Sequence, residues 1–287
     1  MAESPGLLCV HAHPDDEVIL TGGLLVSTAE RGLRTRVVTC TGGEEGEVVG
    51  AGMDPDEVRS RLAEVRLAEL THALEILGAG LPHMLGYRDS GMVGTDSNAD
   101  PSSFWRADFD EAVGRLVAHI RAFQPDVLVT YDAYGGYGHP DHIQSHRVAL
   151  VATEAASAGL LYPEAGPPWR TPKVYLATIP RSAVVAGSQA LTARGLPSPF
   201  GEVEDPADIE MGVDDDSIGA VLDVAPWMER KWAALRAHAS QVGAESFFLN
   251  VPEDIRGLVF GREYFVRHRS EVGAQAVEED LFTGLVP

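Results

Sequence analysis

An α/β fold of Rossmann type, with helices on both faces of a mostly parallel sheet and a smaller C-terminal α+β cap, is predicted by three features of this sequence. Strand-like and helix-like segments alternate through the first half. The strand-like runs are almost wholly apolar, as strands covered on both faces are. The two segments richest in histidine and aspartate, 11–17 and 131–142, each directly follow such a run.

Taken in order, residues 6–10 are a short apolar run, expected as the first strand, and 18–31 a helix. Residues 35–41 are rich in β-branched side chains and read as a strand, followed by a long Gly/Glu loop over 42–56. Across 57–77 apolar side chains recur at helical spacing (Val58, Leu62, Val65, Leu70, Leu74, Leu77), which predicts one helix. A third strand is expected at 82–87, an irregular loop over 88–108, a helix at 110–123, a strand at 126–131 and a helix at 140–157. Strand–helix alternation of this kind predicts a doubly wound sheet with strand 1 beside strand 4. Ligands bind such sheets beyond the carboxyl ends of the strands where the winding reverses, which is where both His/Asp segments would lie.

The Pro/Gly loop at 163–172 marks the boundary between a catalytic region, 1–170, and a cap, 171–287, that completes the pocket. Within the cap a strand is expected at 173–179, a helix at 181–194, an acidic irregular stretch at 197–216 and a strand at 219–224. A helix at 226–241 and a final strand or two at 257–266 close the chain.

Bulk properties narrow the partners. Hydrophobic residues make up 45% and charged residues 23% of 287, ordinary for a globular protein with a sizeable core. The formal charge of -21 repels phosphate backbones and anionic lipid, so nucleic acid and membranes are excluded as partners in favour of a small molecule. No apolar run is long enough to span a bilayer, and the acidic start lacks the basic region of a signal peptide. Cys9 and Cys40 both fall in expected strands, which speaks against a disulfide framework and for a reducing cytoplasm. Nothing in the sequence fixes an oligomeric state.

His11-Ala12-His13-Pro14-Asp15-Asp16-Glu17 carries the sharpest chemical signal. Histidine and carboxylate together suit a borderline metal such as Zn2+. His13 and Asp16 are three apart, so one turn puts both on one face, with Pro14 suited to a first helical turn. A run of acids here could instead cap a helix. The second segment, Tyr131 to His142, repeats the pattern: His139-Pro140-Asp141-His142 follows a glycine-rich turn. Two such turns at one switch point are hard to explain as caps. Spacing does not decide between His139 and His142 as a ligand, and His146 reads as an ordinary helix histidine. A dinucleotide site would need Gly-x-Gly-x-x-Gly after strand 1, and Gly22-Gly23 lacks that spacing.

These two runs resemble the LmbE-like, or PIG-L, family of zinc N-deacetylases, and the resemblance spans most of the chain. It implies zinc (with iron as the alternative ion) held by His13, Asp16 and His142, and Asp15 as general base. The tetrahedral oxyanion of such a reaction needs a donating partner, for which Tyr137 and His139 on the second loop are the candidates. His139 is also a candidate acid for the departing amine, and Asp141 one to orient a histidine. The family pattern implies that Arg66 and Asp89 bind sugar hydroxyls, with plain surface charge as the other reading of both. Glu47 in the first long loop is a further candidate contact, and His238 in the late helix reads either as a contact from the cap side or as a core or surface histidine. The runs Glu44-Glu45-Gly46-Glu47-Val48 and Arg88-Asp89-Ser90-Gly91-Met92 resemble members that deacetylate N-acetylglucosaminyl-inositol, giving acetate and a free amine. Gly42-Gly43, Ala51-Gly52-Met53-Asp54 and Ala237-His238-Ala239-Ser240-Gln241 resemble members that cleave amides of mycothiol S-conjugates. An acylated amino sugar of a secondary metabolite is a third candidate substrate. A non-catalytic binding module with a structural zinc is the reading from another class, though such sites favour four ligands and cysteine.

Overall fold

Seven strands form one sheet in the computed structural model, which describes residues 4–285 apart from 200, 202, 204 and 274. The first three residues of the acidic start and three positions in the 197–216 stretch therefore lie outside the described residues. The strands are β1 (Gly6–His11), β2 (Arg34–Thr41), β3 (His83–Tyr87), β4 (Val127–Tyr131), β5 (Lys173–Thr178), β6 (Ala220–Asp223) and β7 (Arg262–Ser270). Their order is β3-β2-β1-β4-β5-β7-β6. The pairs from β3 through β5 are parallel, and β7 runs antiparallel to both of its neighbours. The mostly parallel sheet and the adjacency of β1 and β4 are as the sequence predicts.

Why β1 and β4 read as unbroken apolar runs is visible in their packing. Leu7 and Cys9 of β1, with Val127 and Val129 of β4, join a core under the helices Asp16–Glu30, Leu62–Leu77 and Met228–Ala237. Leu8, Val10 and Leu128 point the other way, into a core with Leu116, Ile120 and Val148 of the helices Phe109–Phe123 and Pro140–Ser157. Successive side chains of a strand alternate between faces, so a strand covered on both must be apolar at every position.

Residues from 171 onward supply β5, β6 and β7 to the same sheet. A fully buried lysine fastens the chain's end there: Lys173 Nζ donates to Glu278 Oε1 at 2.8 Å, and Tyr175 Oη donates to the other carboxylate oxygen. On the same face Glu263 of β7 accepts Gly23 N–H, Leu24 N–H and the Lys231 ammonium, at 2.8, 2.9 and 2.6 Å. Glycine is required at 23, because a Cβ there would lie 2.2 Å from Val224 Cγ1. That close approach, not a phosphate, accounts for Gly23.

Four expected elements need correction. The predicted 57–77 helix is two, Pro55–Arg59 and Leu62–Leu77. The first turn closes with Arg61 N–H on Val58 O, and the second helix restarts with Glu64 and Val65 N–H on Arg61 O. Apolar spacing continues across that break, so periodicity cannot see it. The predicted strand start at 257 is instead the helix Glu253–Phe260, after which β7 begins at Arg262. Pro252 followed by Glu253 and Asp254 is a helix-start signal that outweighs the apolar run behind it. The 226–241 helix shrinks to Met228–Ala237, ending where His238 turns to φ -80, ψ 53. The 88–108 loop contains the helix Asp96–Ala99, capped by Thr95, and buries Phe104 completely.

Candidate metal centre and active site

The C-terminal ends of β1 and β4 bring the two His/Asp segments together. After His11 the chain turns through Ala12 to Asp15 into the helix Asp16–Glu30. Asp15 stands at the cap position but its side chain caps nothing, and Pro14 precedes the cap rather than entering the first turn. The acids of 15–17 are thus freed for other work, although Asp16 and Glu17 still complement the helix dipole. At β4 the chain passes through Gly135, at φ 68, to the cap residue His139, whose Nδ1 accepts Asp141 N–H at 3.1 Å. A Cβ on Gly135 would come within 2.6 Å of His142 Cβ, so only glycine fits there.

Three donor atoms form a near-equilateral triangle. His13 Nδ1 and Asp16 Oδ2 are 3.4 Å apart, His142 Nε2 and Asp16 Oδ2 3.4 Å, and His142 Nε2 and His13 Nδ1 3.2 Å. A tetrahedral ion with metal–ligand bonds of 2.0–2.1 Å needs donors about 3.3–3.4 Å apart. The triangle therefore fits one. His13, His139 and His142 also gather donor atoms within 4.8 Å, as do His13, Asp89 and Asp141. Both sets are looser bounds, and the second uses the opposite nitrogen of His13.

Each donor is held from behind. His13 Nε2 lies 3.3 Å from Asp141 Oδ2 and 3.5 Å from Asp89 Oδ1, which leaves Nδ1 to face the triangle. His142 Nδ1 meets the Gly135 carbonyl at 3.0 Å, leaving Nε2. Outer partners of this kind fix the tautomer and aim of a metal-binding histidine. Tyr131 Oη accepts Ala12 N–H at 2.7 Å and so must donate to Asp16 Oδ2, also at 2.7 Å; His13 N–H adds a second donor at 2.8 Å. Asp141 is anchored in turn by Ser90, whose N–H donates to Oδ2 at 2.9 Å and whose hydroxyl donates to Oδ1.

The electrostatics follow from burial among carboxylates. Burial opposes the charged form of His13, but Asp89, Asp141 and Asp16 outweigh it and push its pKa well above the ordinary value. Burial pushes His142 down to about 3, only partly opposed by Asp16, so its ring is neutral. Burial likewise lowers His139, with the charge of His13 adding to the effect. Asp16 is held well below the carboxylate range, because His142 and His13 overcome its burial. Asp89 moves the same way, His13 overcoming burial.

Asp15 behaves differently. Its side chain retains 19% exposure, and burial raises it to about 6 against the pull of the Arg66 guanidinium. A carboxylate whose pKa lies near neutrality is suited to accept a proton. Arg66 is buried, not a surface charge: it donates to Asp15 Oδ2 at 3.1 Å, to Gly43 O at 2.8 Å and to Pro14 O. Asp89 is also buried, and its carboxylate accepts Gly91 N–H at 2.8 Å. Glu47 is exposed in the loop after β2. Tyr137 keeps 54% exposure, with its ring 5.0 Å from that of His142 and 6.1 Å from that of His139.

His238 is not on the pocket wall. It has no exposed surface and its Nε2 meets Glu17 Oε1 at 2.8 Å, so the expected substrate contact is replaced by a buried pair. His146 bonds the Tyr131 carbonyl, as befits a helix histidine. Glu17, Ser90 and Tyr131 are site residues that sequence reasoning did not single out. Each lies inside or beside a quoted motif, which was the signal available for them.

Three donor atoms spaced to hold a metal ion, with one carboxylate beside them and a histidine across from them, lie at the switch point of an α/β sheet, an arrangement suited to metal-assisted hydrolysis. Comparison with known proteins specifies which hydrolysis. The model of the PIG-L family, GlcNAc-PI de-N-acetylase, matches residues 8–153. A Geodermatophilus obscurus protein named 1D-myo-inositol 2-acetamido-2-deoxy-alpha-D-glucopyranoside deacetylase is 43% identical, covering 99% of each chain. A Streptomyces avermitilis protein of the same name is 42% identical over 98% of this chain and 97% of its own. The chain belongs to the PIG-L family and is a hydrolytic N-deacetylase. Among solved structures, the N,N'-diacetylchitobiose deacetylase of Pyrococcus horikoshii aligns with a TM-score of 0.61 at 20% identity, over 92% of this chain and 84% of its own. GalB of Pseudomonas putida, a 4-carboxy-2-hydroxymuconate hydratase, aligns with a TM-score of 0.59 at 21% identity, over 94% of this chain and 99% of its own. Fold alone therefore does not choose the reaction.

Proposed function

We propose that the chain removes the acetyl group from the amino sugar of an N-acetylglucosaminyl-inositol, using zinc held by His13, Asp16 and His142. The observation that carries the metal reading is the donor triangle, whose edges of 3.2–3.4 Å suit a tetrahedral ion. The substrate reading is supported by the full-length likeness to enzymes of that name. A zinc ion there would supply Lewis acidity and lower the pKa of water to about 7; iron(II) fits the same donors.

The protein's own groups do the rest. Asp15 takes a proton from the attacking water, and its carboxylate is kept in place by Arg66. Tyr137 donates its hydroxyl to the carbonyl oxygen as negative charge develops there. Asp15 then passes that proton to the departing amine, while His139, neutral and with Nδ1 occupied by Asp141 N–H, donates from Nε2 to the developing oxyanion, so that acetate and a free amino sugar leave. Asp141 holds His13 in the tautomer that leaves Nδ1 free. Arg66, Asp89 and Glu47 contact sugar hydroxyls; Arg66 Nε is buried without a partner among the described residues. Residues 171–287 complete the pocket, supported by Gln241 Oε1, which lies 2.3 Å from where a Gly46 Cβ would stand. A cytoplasmic location is supported by the two unbridged, buried cysteines, and no described helix is long and apolar enough to cross a membrane.

The test compares amine release by zinc-loaded protein from N-acetylglucosaminyl-inositol and from a mycothiol S-conjugate. Faster release from the acetylated glycoside supports the proposal. Faster cleavage of the conjugate makes the chain an amidase instead, and cleavage of neither moves the search to acylated secondary metabolites.

A further inference from the structure

Asp15 is one of three non-glycine residues at positive φ among those described, at φ 112, ψ -29. An L-residue pays for such a conformation in strain and keeps it only where its surroundings over-determine it. Its backbone polar atoms and one carboxylate oxygen are all tied. Its carbonyl accepts Val18 and Ile19 N–H at 3.0 and 3.2 Å, and Arg66 holds its carboxylate. Its N–H donates to Glu17 Oε2 at 2.9 Å.

Glu17 cannot act on a substrate directly, because it has no exposed surface. Its second oxygen meets His238 Nε2 at 2.8 Å, and His238 is equally buried. His238 is itself fixed by a tight turn, its carbonyl accepting Gln241 and Val242 N–H at 3.0 and 2.9 Å. A buried ion pair is weak evidence of added stability, since apolar groups of the same volume often serve as well. The pair is therefore explained better by what it holds than by its own energy.

We infer that Glu17 and His238 are positioning residues for the base: they clamp the Asp15 amide so that the turn stays left-handed and the carboxylate points into the pocket. The inference rests on Asp15 being the base of the proposed deacetylation. It also makes the late segment of the chain part of the catalytic turn without any contact to substrate. Asp16, the adjoining metal donor, does not depend on the clamp, because Tyr131 and the His13 N–H secure it independently.

The experiment uses Glu17→Gln and the double variant Glu17→Leu/His238→Leu, with kcat, KM, zinc content, thermal midpoint and amide hydrogen exchange of the 13–16 turn in metal-free protein. Glutamine can still accept the Asp15 N–H and donate to His238, whose Nδ1 has no partner among the described residues and can carry the ring proton. It is expected to keep kcat within about threefold. The double variant removes both buried polar groups, so it is expected to fold and bind zinc, yet lose about 10- to 100-fold in kcat with little change in KM. Its Asp15 amide should exchange faster than that of the wild type. Unchanged kcat per bound zinc in the double variant, or unchanged exchange at Asp15, overturns the inference. If the wild type itself releases no amine, the functional reading fails, while the exchange comparison still decides whether the clamp exists.

Discussion

Replacing Asp141 by Asn keeps the shape of the side chain and removes its charge, which isolates what that charge does for His13. The oxygen 3.3 Å from His13 Nε2 also accepts Ser90 N–H at 2.9 Å, so an asparagine is steered to present its carbonyl to both. The Asp141 N–H on His139 Nδ1 belongs to the main chain and is untouched. The amide nitrogen then takes the Oδ1 position, so the Ser90 hydroxyl turns from donor to acceptor there. At His13 the buried hydrogen bond weakens from about 1.5–3 kcal/mol when charged to about 0.5–1.5 when neutral. The difference, about 1–1.5 kcal/mol, corresponds to roughly tenfold in metal affinity, at the lower end of the about 10- to 100-fold seen for such outer partners. Competition with a chelator of known affinity measures it directly. Zinc affinity within about twofold of the wild type, in a variant with an unchanged thermal midpoint, would refute the role given to Asp141.

Asp15→Asn is expected to keep zinc and fold, since asparagine tolerates positive φ, and to lose about 100-fold or more in kcat; a rate near wild type removes Asp15 as the base. Tyr131→Phe leaves the buried Ala12 N–H without its acceptor and takes from Asp16 one of its two donors, and should lower the unfolding free energy by about 1–3 kcal/mol in a denaturant titration. No change would mean that neither hydrogen bond matters. Stability should also depend on pH through His119, which burial, with His83 and Arg36 adding, lowers from 6.5 to about 4. A base with a depressed folded pKa takes its proton more readily when unfolded. Its contribution is thus intact above pH 6.5 and lost as pH falls from 6.5 towards 4. Solvent screening of this half-buried ring cuts the effect to about 1–2 kcal/mol. His119→Gln should flatten that part of the pH–stability curve, and identical curves would argue against the shift.

Local chemistry was legible in the sequence and long-range partnership was not. His13 and Asp16 are three residues apart, and apolar runs with a strand–helix rhythm placed both His/Asp turns at the same switch point. The partners that aim these groups lie far away in the chain: Asp141 is 128 residues from His13, Tyr131 115 from Asp16 and His238 221 from Glu17. No spacing rule relates such pairs. The same limit explains His238, whose motif marked it as noteworthy but could not say that it turns inward. At Val58 to Leu62 the apolar period ran on through a break that only hydrogen bonding reveals. At 253–260 an apolar stretch concealed a helix announced by Pro252 and two acids.

The most direct test of the metal-dependent deacetylase is a zinc titration of metal-stripped protein, following amine release from N-acetylglucosaminyl-inositol alongside His142→Ala. Activity is expected to rise from near zero to a plateau at about one zinc per chain, as one donor triangle requires, and the variant should stay inactive at that concentration. Full activity without metal, or a variant restored at the same zinc level as the wild type, would contradict the assignment of His13, Asp16 and His142.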